Sequence, residues 1–443
     1  MSPASPPSAA PPSPPTSQTC SHSPAGRLSL GAPSLEVATA ALRHDFGLAS
    51  GRAVAAALRR HADTLCPSRV ATWCRAQNIE LPVYRGLADL APPSGAALRA
   101  RLEPGAQALI GTSLYEADRL RTLLQAFRDA GIPVLPLKGV ALDAWLYDGP
   151  GRRRAGDHDL MVPPAHIADA VRLLEAAGYA CTNPAWVPSD ATPDKHHAPP
   201  FVADPCGAVS VVELHWAVED APVPARINDP QALTEALWGR ARKTSLLGVP
   251  VWRMSPVDER LYLCLHAFKH LTMHGGGLSL RVSMLADLAR HAAHGPPVDP
   301  HALAQRLAGL GPNDLCSPLR ALWVQGLGGT PGELLPDTAV RTPPPWPNKA
   351  WKRAVVSLPL ALAVPDRPDD PQRLYSDRLR RILMHATLLR RWRDRLRLLQ
   401  HVLPRLWSVN EHDRCLVPAG AQWPAPALLP LRWGRLLWNV LRR

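Results

Sequence analysis

Between residues 113 and 216 the apolar residues change from helical spacing to short runs of strand length, and this alternation constrains the fold more than any other feature. Three runs have the length and composition of strands, at 134–137, 157–162 and 209–216. Helical spacing separates them at 140–147 and 164–177. Strands that alternate with helices predict an α/β core in which helices cover a sheet.

Helical patterns also lie on both sides of this core. Residues 113–130 read as one amphipathic helix, for which Ser113 and Glu116 predict a capping box at its start. We divide the chain into a disordered Pro/Ser-rich tail (1–34), an N-terminal helical region (35–110), the core (111–255), a helical region packing on the core (256–330), a Pro-rich linker (331–375) and a basic amphipathic C-terminal region (376–443).

The positive charge is concentrated at the C-terminal end. The formal net charge is +13, and Arg373–Arg443 alone carries 15 Arg and no Lys against 4 acidic residues. This basic region has the charge to bind RNA phosphates, or to lie on an anionic membrane as an amphipathic helix. We favour a third interpretation, a helix that packs on the core and is solvated outside.

The N-terminal segment and the cysteines indicate the cellular location of the protein. The N-terminal segment lacks the basic and apolar stretches of a secretory signal, and no run of about 18 apolar residues occurs. The eight cysteines form no CxxC pair, which disfavours a structural zinc ribbon. We expect a cytoplasmic protein.

Three acidic residues form the candidate catalytic group. Asp157 and Asp159 stand two apart in a predicted strand, so both side chains face one side, and Gly156 before them lets a phosphate approach the backbone. Glu213 interrupts a β-branched run, where a buried carboxylate needs a partner or a metal. A lone Asp-x-Asp pair usually caps a helix or lies in a surface loop without a catalytic role. Three converging carboxylates suit Mg²⁺ or Mn²⁺.

Several segments together resemble a known family. They are LPLKGVALDAWLY (135–147), GRRRAGDHDLMV (151–162), LLEAAGY (173–179), VVELHW (211–216), HAFKH (266–270) and ADLARH (286–291). In order and spacing they are similar to the uncharacterised nucleotidyltransferases of the DNA polymerase beta-like superfamily. The resemblance implies an α+β fold, with a small mixed sheet flanked by helices. It also implies metal-dependent transfer of a nucleotidyl group from an NTP to an unknown hydroxyl or phosphate acceptor.

The resemblance also assigns residue roles. Asp157 and Asp159 match the metal-binding pair, and Glu213 matches the third acid and candidate base. Lys138-Gly139 replaces the glycine-serine turn that grips the triphosphate in the wider superfamily, and Arg153 matches a recurrent arginine. His158 stands between the two acids, where an aliphatic residue is more usual.

Each supporting residue has a functional and a structural interpretation. Lys138 either contacts phosphates or points into solvent, and Arg153 either stabilises transferred charge or belongs to a solvated basic loop. His215 either orients Glu213, touches a phosphate or is a structural histidine, and we favour the last. Lys269 and His270 either border the nucleotide or cover a helix surface.

Two further patterns leave alternatives open. His266, His270 and His274 share a helical face, but no HExxH motif occurs, so zinc is disfavoured. Asp287 either orients a site residue or is a surface acid. For the whole protein, the alternative to an enzyme is a nucleotide- or RNA-binding module, or a membrane-peripheral scaffold, that retains the fold.

Overall fold

The chain forms a mixed α+β structure, as the sequence predicts. The computed structural model describes residues 27–28, 32–88, 90, 95–154, 156–192, 195–204, 209–219, 229–272, 280–310, 316–336, 364–365, 392–393, 396 and 400. The predicted disordered tail (1–34), the Pro-rich linker (331–375) and the basic C-terminal region (376–443) lie largely outside these residues. Their proposed character, and the division into regions, therefore stay predictions.

Helices make up most of the described chain. They are α1 (Ala32–Asp45), α2 (Gly51–Arg60), α3 (Pro67–Ala76), α4 (Glu80–Gly86), α5 (Ala96–Asp129), α6 (Val140–Leu146), α7 (Ile167–Ala176), α8 (Pro230–Arg240), α9 (Pro256–Thr272), α10 (Val282–His294), α11 (Pro300–Leu310), α12 (Cys316–Ala321) and α13 (Pro331–Leu334). Within the described ranges, no helix combines the length and apolar character that crossing a membrane requires.

The strands are short. They are β1 (Arg27–Leu28), β2 (Leu135–Pro136), β3 (His158–Met161), β4 (Ala180–Cys181), β5 (Phe201–Ala203), β6 (Ser210–His215), β7 (Arg242–Leu246), β8 (Val249–Arg253) and β9 (Val364–Pro365). The central sheet has the order β2-β3-β6-β5-β4, while β7 pairs with β8 and β1 with β9. The three predicted strands are confirmed as β2, β3 and β6.

The central sheet is mixed because one of its pairs is parallel. β3 and β6 run parallel, and the remaining neighbours are antiparallel. In the parallel register Asp159 lies beside Glu213, and Met161 lies beside His215. The pairing therefore brings together two acids that are far apart in sequence.

Alternation along β3 and β6 separates two faces of the sheet. Leu160, Val212 and Leu214 enter one apolar cluster with residues of α5 and α7. Met161 belongs to a second cluster that includes residues of α9 and α10. Because side chains alternate along a strand, Asp159 and Glu213 lie on the face turned towards α9.

α5 corrects one expectation. It runs from Ala96 to Asp129 as one helix of 34 residues, so Ser113 and Glu116 lie inside it and form no capping box. Glu116 is buried and accepts hydrogen bonds from His158 Nε2 at 2.7 Å and from Ser210 Oγ at 2.7 Å. This polar group ties α5 to both central strands from behind.

Removing Glu116 should destabilise the fold, because it leaves two buried groups without their acceptor. We expect Glu116→Ala to lower the free energy of unfolding by about 2–4 kcal/mol, measured by urea denaturation. The control is Asp118→Ala on the same helix, whose 68% exposed side chain pairs with Arg121 on the surface. Its effect should stay within about 0.5 kcal/mol. Equal losses in the two variants would show that the buried network adds nothing.

Candidate functional site

The predicted acids line a cleft between the sheet and α9. The sheet side supplies Asp159, Glu213 and His215, the β2–α6 turn supplies Lys138, and α9 supplies the opposite wall. The full lining is Lys138, Asp157, Asp159, His196, His197, Glu213, His215, Val218, Tyr262, Leu265, His266, Lys269 and His270. Of the ten residues assigned to the site from sequence, seven therefore line one cleft.

The three acids differ in exposure. Asp159 is fully buried, while the side chain of Glu213 is 25% exposed and that of Asp157 is 35% exposed. Asp157 directly precedes β3, so it lies at the mouth of the cleft while Asp159 lies at its floor. A cation that bound all three would sit at the end of the parallel pair.

Asp159, Glu213 and His215 have the arrangement of a metal site. Each offers one ligand atom, and these atoms lie within 4.8 Å of one another. Among the described residues, Asp159 Oδ2 is buried with no hydrogen-bond partner, so it remains available as a ligand. Two carboxylates suit Mg²⁺ or Mn²⁺, and the imidazole favours Mn²⁺ of the two. The residues present therefore fit a divalent cation.

Lys138 interacts with two of the acids. Its Nζ lies 3.0 Å from Asp159 Oδ1 and 3.7 Å from Asp157 Oδ2. Burial alone would lower the pKa of Lys138, but these carboxylates raise it above its ordinary value. The lysine is thus neither a solvent-exposed side chain nor a free phosphate ligand, and it contributes the positive charge of the cluster.

The turn after Lys138 requires glycine. Gly139 has φ +68°, and a Cβ there would stand 2.6 Å from the carbonyl oxygen of Asp157. The backbone of the β2–α6 turn therefore packs directly on the residue that begins the acidic motif. This contact fixes where Lys138 leaves the backbone, next to the carboxylates.

The α9 wall carries histidine and lysine side chains at helical spacing. Residues 262, 265, 266, 269 and 270 all face the cleft. Lys269 is buried, with Nζ 2.6 Å from His196 Nε2 and 3.7 Å from Glu219 Oε1. Burial and neighbouring cations hold the pKa of His266 well below its ordinary value. His274, the third residue of the predicted histidine face, lies outside the described residues.

Gly139, Arg153 and Gly156 do not line the cleft. Arg153 forms a two-point ion pair with Asp287 on α10, with both N–O distances at 2.7 Å. Asp287 is buried and also accepts a hydrogen bond from the Tyr147 hydroxyl at 2.8 Å, so it is no surface acid. Gly156 is exposed, and a Cβ there would meet no atom within 4 Å.

Asp143 on α6 contacts the loop before the acidic motif, and the sequence did not single it out. Its carboxylate accepts hydrogen bonds from the backbone N–H of Gly151 at 2.8 Å and of Arg152 at 3.2 Å. Burial raises its pKa to about 6. It thereby holds the loop that precedes Asp157.

His196 and His197 were also missed. They lie in an irregular segment, where His197 forms an isolated β-bridge with His215 and His196 contacts Lys269. The run Lys195-His196-His197 was the only local signal, and it has no periodicity that would place it beside β6. Burial lowers the pKa of His197, so its imidazole is neutral near pH 7.

The charges of the cleft stabilise one another. Burial would raise the pKa of Glu213, but the hydrogen bond from His215 and the charge of Lys138 lower it to about 2. Burial would lower the pKa of His215, but Asp159 and Glu213 raise it, and Nε2 lies 3.1 Å from Asp159 Oδ1. Glu213 is therefore ionised, and His215 donates to the neighbouring carboxylates.

Acidification should remove the contribution of Glu213 to stability. Its folded-state pKa is below the ordinary 4.5, so the ionised form favours folding above that pH, and the effect fades as pH falls towards 2. With chelator present, the stability difference between wild type and Glu213→Gln should shrink from about pH 5 to about pH 3, measured by urea denaturation. A difference that grows on acidification would contradict this charge arrangement.

Alanine at position 139 should be costly. Gly139→Ala combines a positive φ with a backbone clash, so we expect a loss of more than about 1 kcal/mol in the free energy of unfolding. Gly111→Ala in α5 is the control, since a Cβ there meets no atom within 4 Å. It should stabilise by about 0.5–1 kcal/mol. A neutral Gly139→Ala would mean that the turn can relax.

Comparison with known proteins identifies a family. The sequence matches the family described as uncharacterised nucleotidyltransferase over residues 64–322, more than half of the 443-residue chain. No curated protein and no solved structure shows significant similarity to it. The matched range contains β2, β3, β6 and α9, which build the cleft. The chain therefore belongs to this nucleotidyltransferase family.

Proposed function

We propose that this protein transfers a nucleotidyl group from an NTP to a hydroxyl or phosphate acceptor, with Mg²⁺ or Mn²⁺ held by Asp157, Asp159 and Glu213. One observation carries the proposal. Asp159 and Glu213 are neighbours in a parallel strand pair, facing a cleft that also holds two lysines and several histidines. Such a cleft offers both a cation site and a polyphosphate site.

The reaction is an in-line displacement at the α-phosphorus of the NTP. An oxygen of the acceptor forms a bond to this phosphorus, the bond to the bridging oxygen of the β-phosphate breaks, and pyrophosphate leaves with the electron pair. Divalent ions supply charge neutralisation and orientation of the two oxygens in reactions of this class. The chain itself positions and shields the reacting groups.

Glu213 suits the role of a cation ligand better than that of a base. A pKa of about 2 ensures that the carboxylate is ionised, but a general base works best with a pKa near the working pH. Removing a hydroxyl proton would require Glu213 to be released from His215 and Lys138. We therefore assign Glu213 first to cation binding and second to the acceptor proton.

The phosphates fit against the basic residues of the cleft. Lys138 stands at the β2–α6 turn, and Lys269 and His270 stand on α9 opposite the acids. We place the triphosphate between these walls, with the open backbone at Gly156 near its entrance. Arg153 acts through its pair with Asp287, which orders the loop before Asp157.

The basic C-terminal region, which would carry any contact with RNA or an anionic membrane, lies outside the described residues except for isolated positions. A cytoplasmic location stays a prediction from the sequence.

Nucleotide binding is the first test. We expect at least one of the four NTPs, with Mg²⁺ or Mn²⁺, to raise the melting temperature. At a ligand concentration 100 times Kd, binding adds about 2.7 kcal/mol of stability. Asp159→Asn should abolish the shift, because it removes the buried negative charge at the cation site. Asp169→Asn, an exposed acid on α7, is the matched control and should behave as wild type.

Transfer is the second half of the test. We expect label from an α-³²P NTP to appear on an acceptor, supplied as a cell extract and then as fractions, in wild type and Asp169→Asn only. Binding without transfer would favour a nucleotide- or RNA-binding module. No shift with any NTP would leave the scaffold interpretation. An active Asp159→Asn enzyme would refute the proposed site.

A further inference from the structure

Lys138 contacts two of the carboxylates that a divalent cation would use. Its Nζ contacts Asp159 Oδ1 at 3.0 Å and lies 3.7 Å from Asp157 Oδ2, with only 16% of its side chain exposed. Glu213 adds a third negative charge to its surroundings. The lysine thus meets the carboxylates that we assign to the divalent ion.

Three neighbouring carboxylates repel one another unless a positive charge lies among them. His215 hydrogen-bonds Asp159 from the strand side, and Lys138 supplies the charge from the cleft side. With these two groups in place, the fold tolerates the acidic cluster without a metal. The same contact gives any arriving divalent ion a competitor.

The lysine can leave without moving the backbone. Gly139 and the Asp157 carbonyl fix the turn, whereas the ammonium stands on a flexible four-carbon stem. An ammonium and a divalent ion repel each other, so an ion bound at the open Asp159 Oδ2 weakens the contact between Lys138 and Asp159 Oδ1. Release of Lys138 therefore provides a positive charge that is newly free for a phosphate.

We propose that Lys138 is an internal cation that neutralises Asp157 and Asp159 until a divalent ion binds, and is then released to the phosphates of the nucleotide. The last step rests on the proposed function, while the exchange of cations does not. Metal binding and phosphate binding are coupled through this one side chain.

Metal affinity in the absence of nucleotide tests the exchange. Mn²⁺ binding to the full-length protein is measured by calorimetry and by the loss of the free Mn²⁺ electron paramagnetic resonance signal. Lys138→Met removes the competitor and keeps the stem, so we expect about tenfold tighter Mn²⁺ binding. Lys138→Arg keeps the positive charge and should bind Mn²⁺ as weakly as wild type does, or more weakly.

Lys243→Met is the matched control for removal of a lysine charge. Its ammonium lies over the Trp252 ring on the β7–β8 pair, away from the cleft, so Mn²⁺ affinity should equal that of wild type. Unchanged or weaker Mn²⁺ binding in Lys138→Met would overturn the proposal. So would equal tightening in Lys243→Met, which would show only an effect of net charge.

A measurement on wild type covers the case in which Lys138→Met does not fold. Amine-selective acylation followed by peptide mapping reports how accessible each lysine is. We expect Mg²⁺ to increase labelling of Lys138 relative to Lys243, because the ammonium is released from the carboxylates. Labelling that falls or stays constant with Mg²⁺ would overturn the proposal.

The two proposals fail separately. Cation exchange without any NTP binding would sink the nucleotidyltransferase function and leave the exchange intact. Nucleotidyl transfer combined with unchanged Mn²⁺ affinity in Lys138→Met would support the proposed function and refute the cation exchange.

Discussion

The parallel pairing of β3 with β6 is the constraint on which the rest of the site depends. It sets Asp159 beside Glu213, in register and on one face of the sheet. Two carboxylates placed so close destabilise the fold unless positive groups surround them. The nearby Lys138 and His215 meet that requirement, and the raised pKa of each is the electrostatic counterpart of the lowered pKa of Glu213. The strand pairing and the positive charges around the acids therefore depend on each other.

The opposite face of the same strands explains a residue that departs from the family pattern. Because side chains alternate, His158 points away from the acids and reaches Glu116 on α5. Ser210 of β6 donates to the same carboxylate, and the Tyr179 hydroxyl lies 3.1 Å from Ser210 Oγ. A polar anchor behind the sheet thus holds both strands to one helix. Histidine between the two aspartates leaves the acidic face unchanged and fixes the register from behind.

The local sequence patterns correctly predicted the strands that carry the acidic residues. Short apolar and β-branched runs identified β3 and β6, and a charged residue in such a run marked Glu213. On α9, Lys269 and His270 were assigned from the resemblance, whereas Tyr262 and Leu265 were not predicted to face the cleft. The 196–197 segment was also not predicted, since its place beside β6 depends on tertiary packing. At Glu116 the Ser-x-x-Glu pattern predicted a helix start, and this was wrong. The carboxylate instead accepts a tertiary hydrogen bond from His158. β7 was not predicted from the sequence because its residues are mostly polar and exposed.

Replacement of a glycine-serine turn by Lys138-Gly139 need not weaken the site. Gly139 keeps the positive φ and the close approach to Asp157 that a tight strand-to-helix turn requires. A serine hydroxyl at this point would bring no charge, and the carboxylates would then depend on a bound metal for neutrality. Lys138 places a positive charge beside the carboxylates before any ligand arrives. Under the proposed exchange, the same charge weakens metal binding, and it becomes free for the nucleotide phosphates when a metal binds.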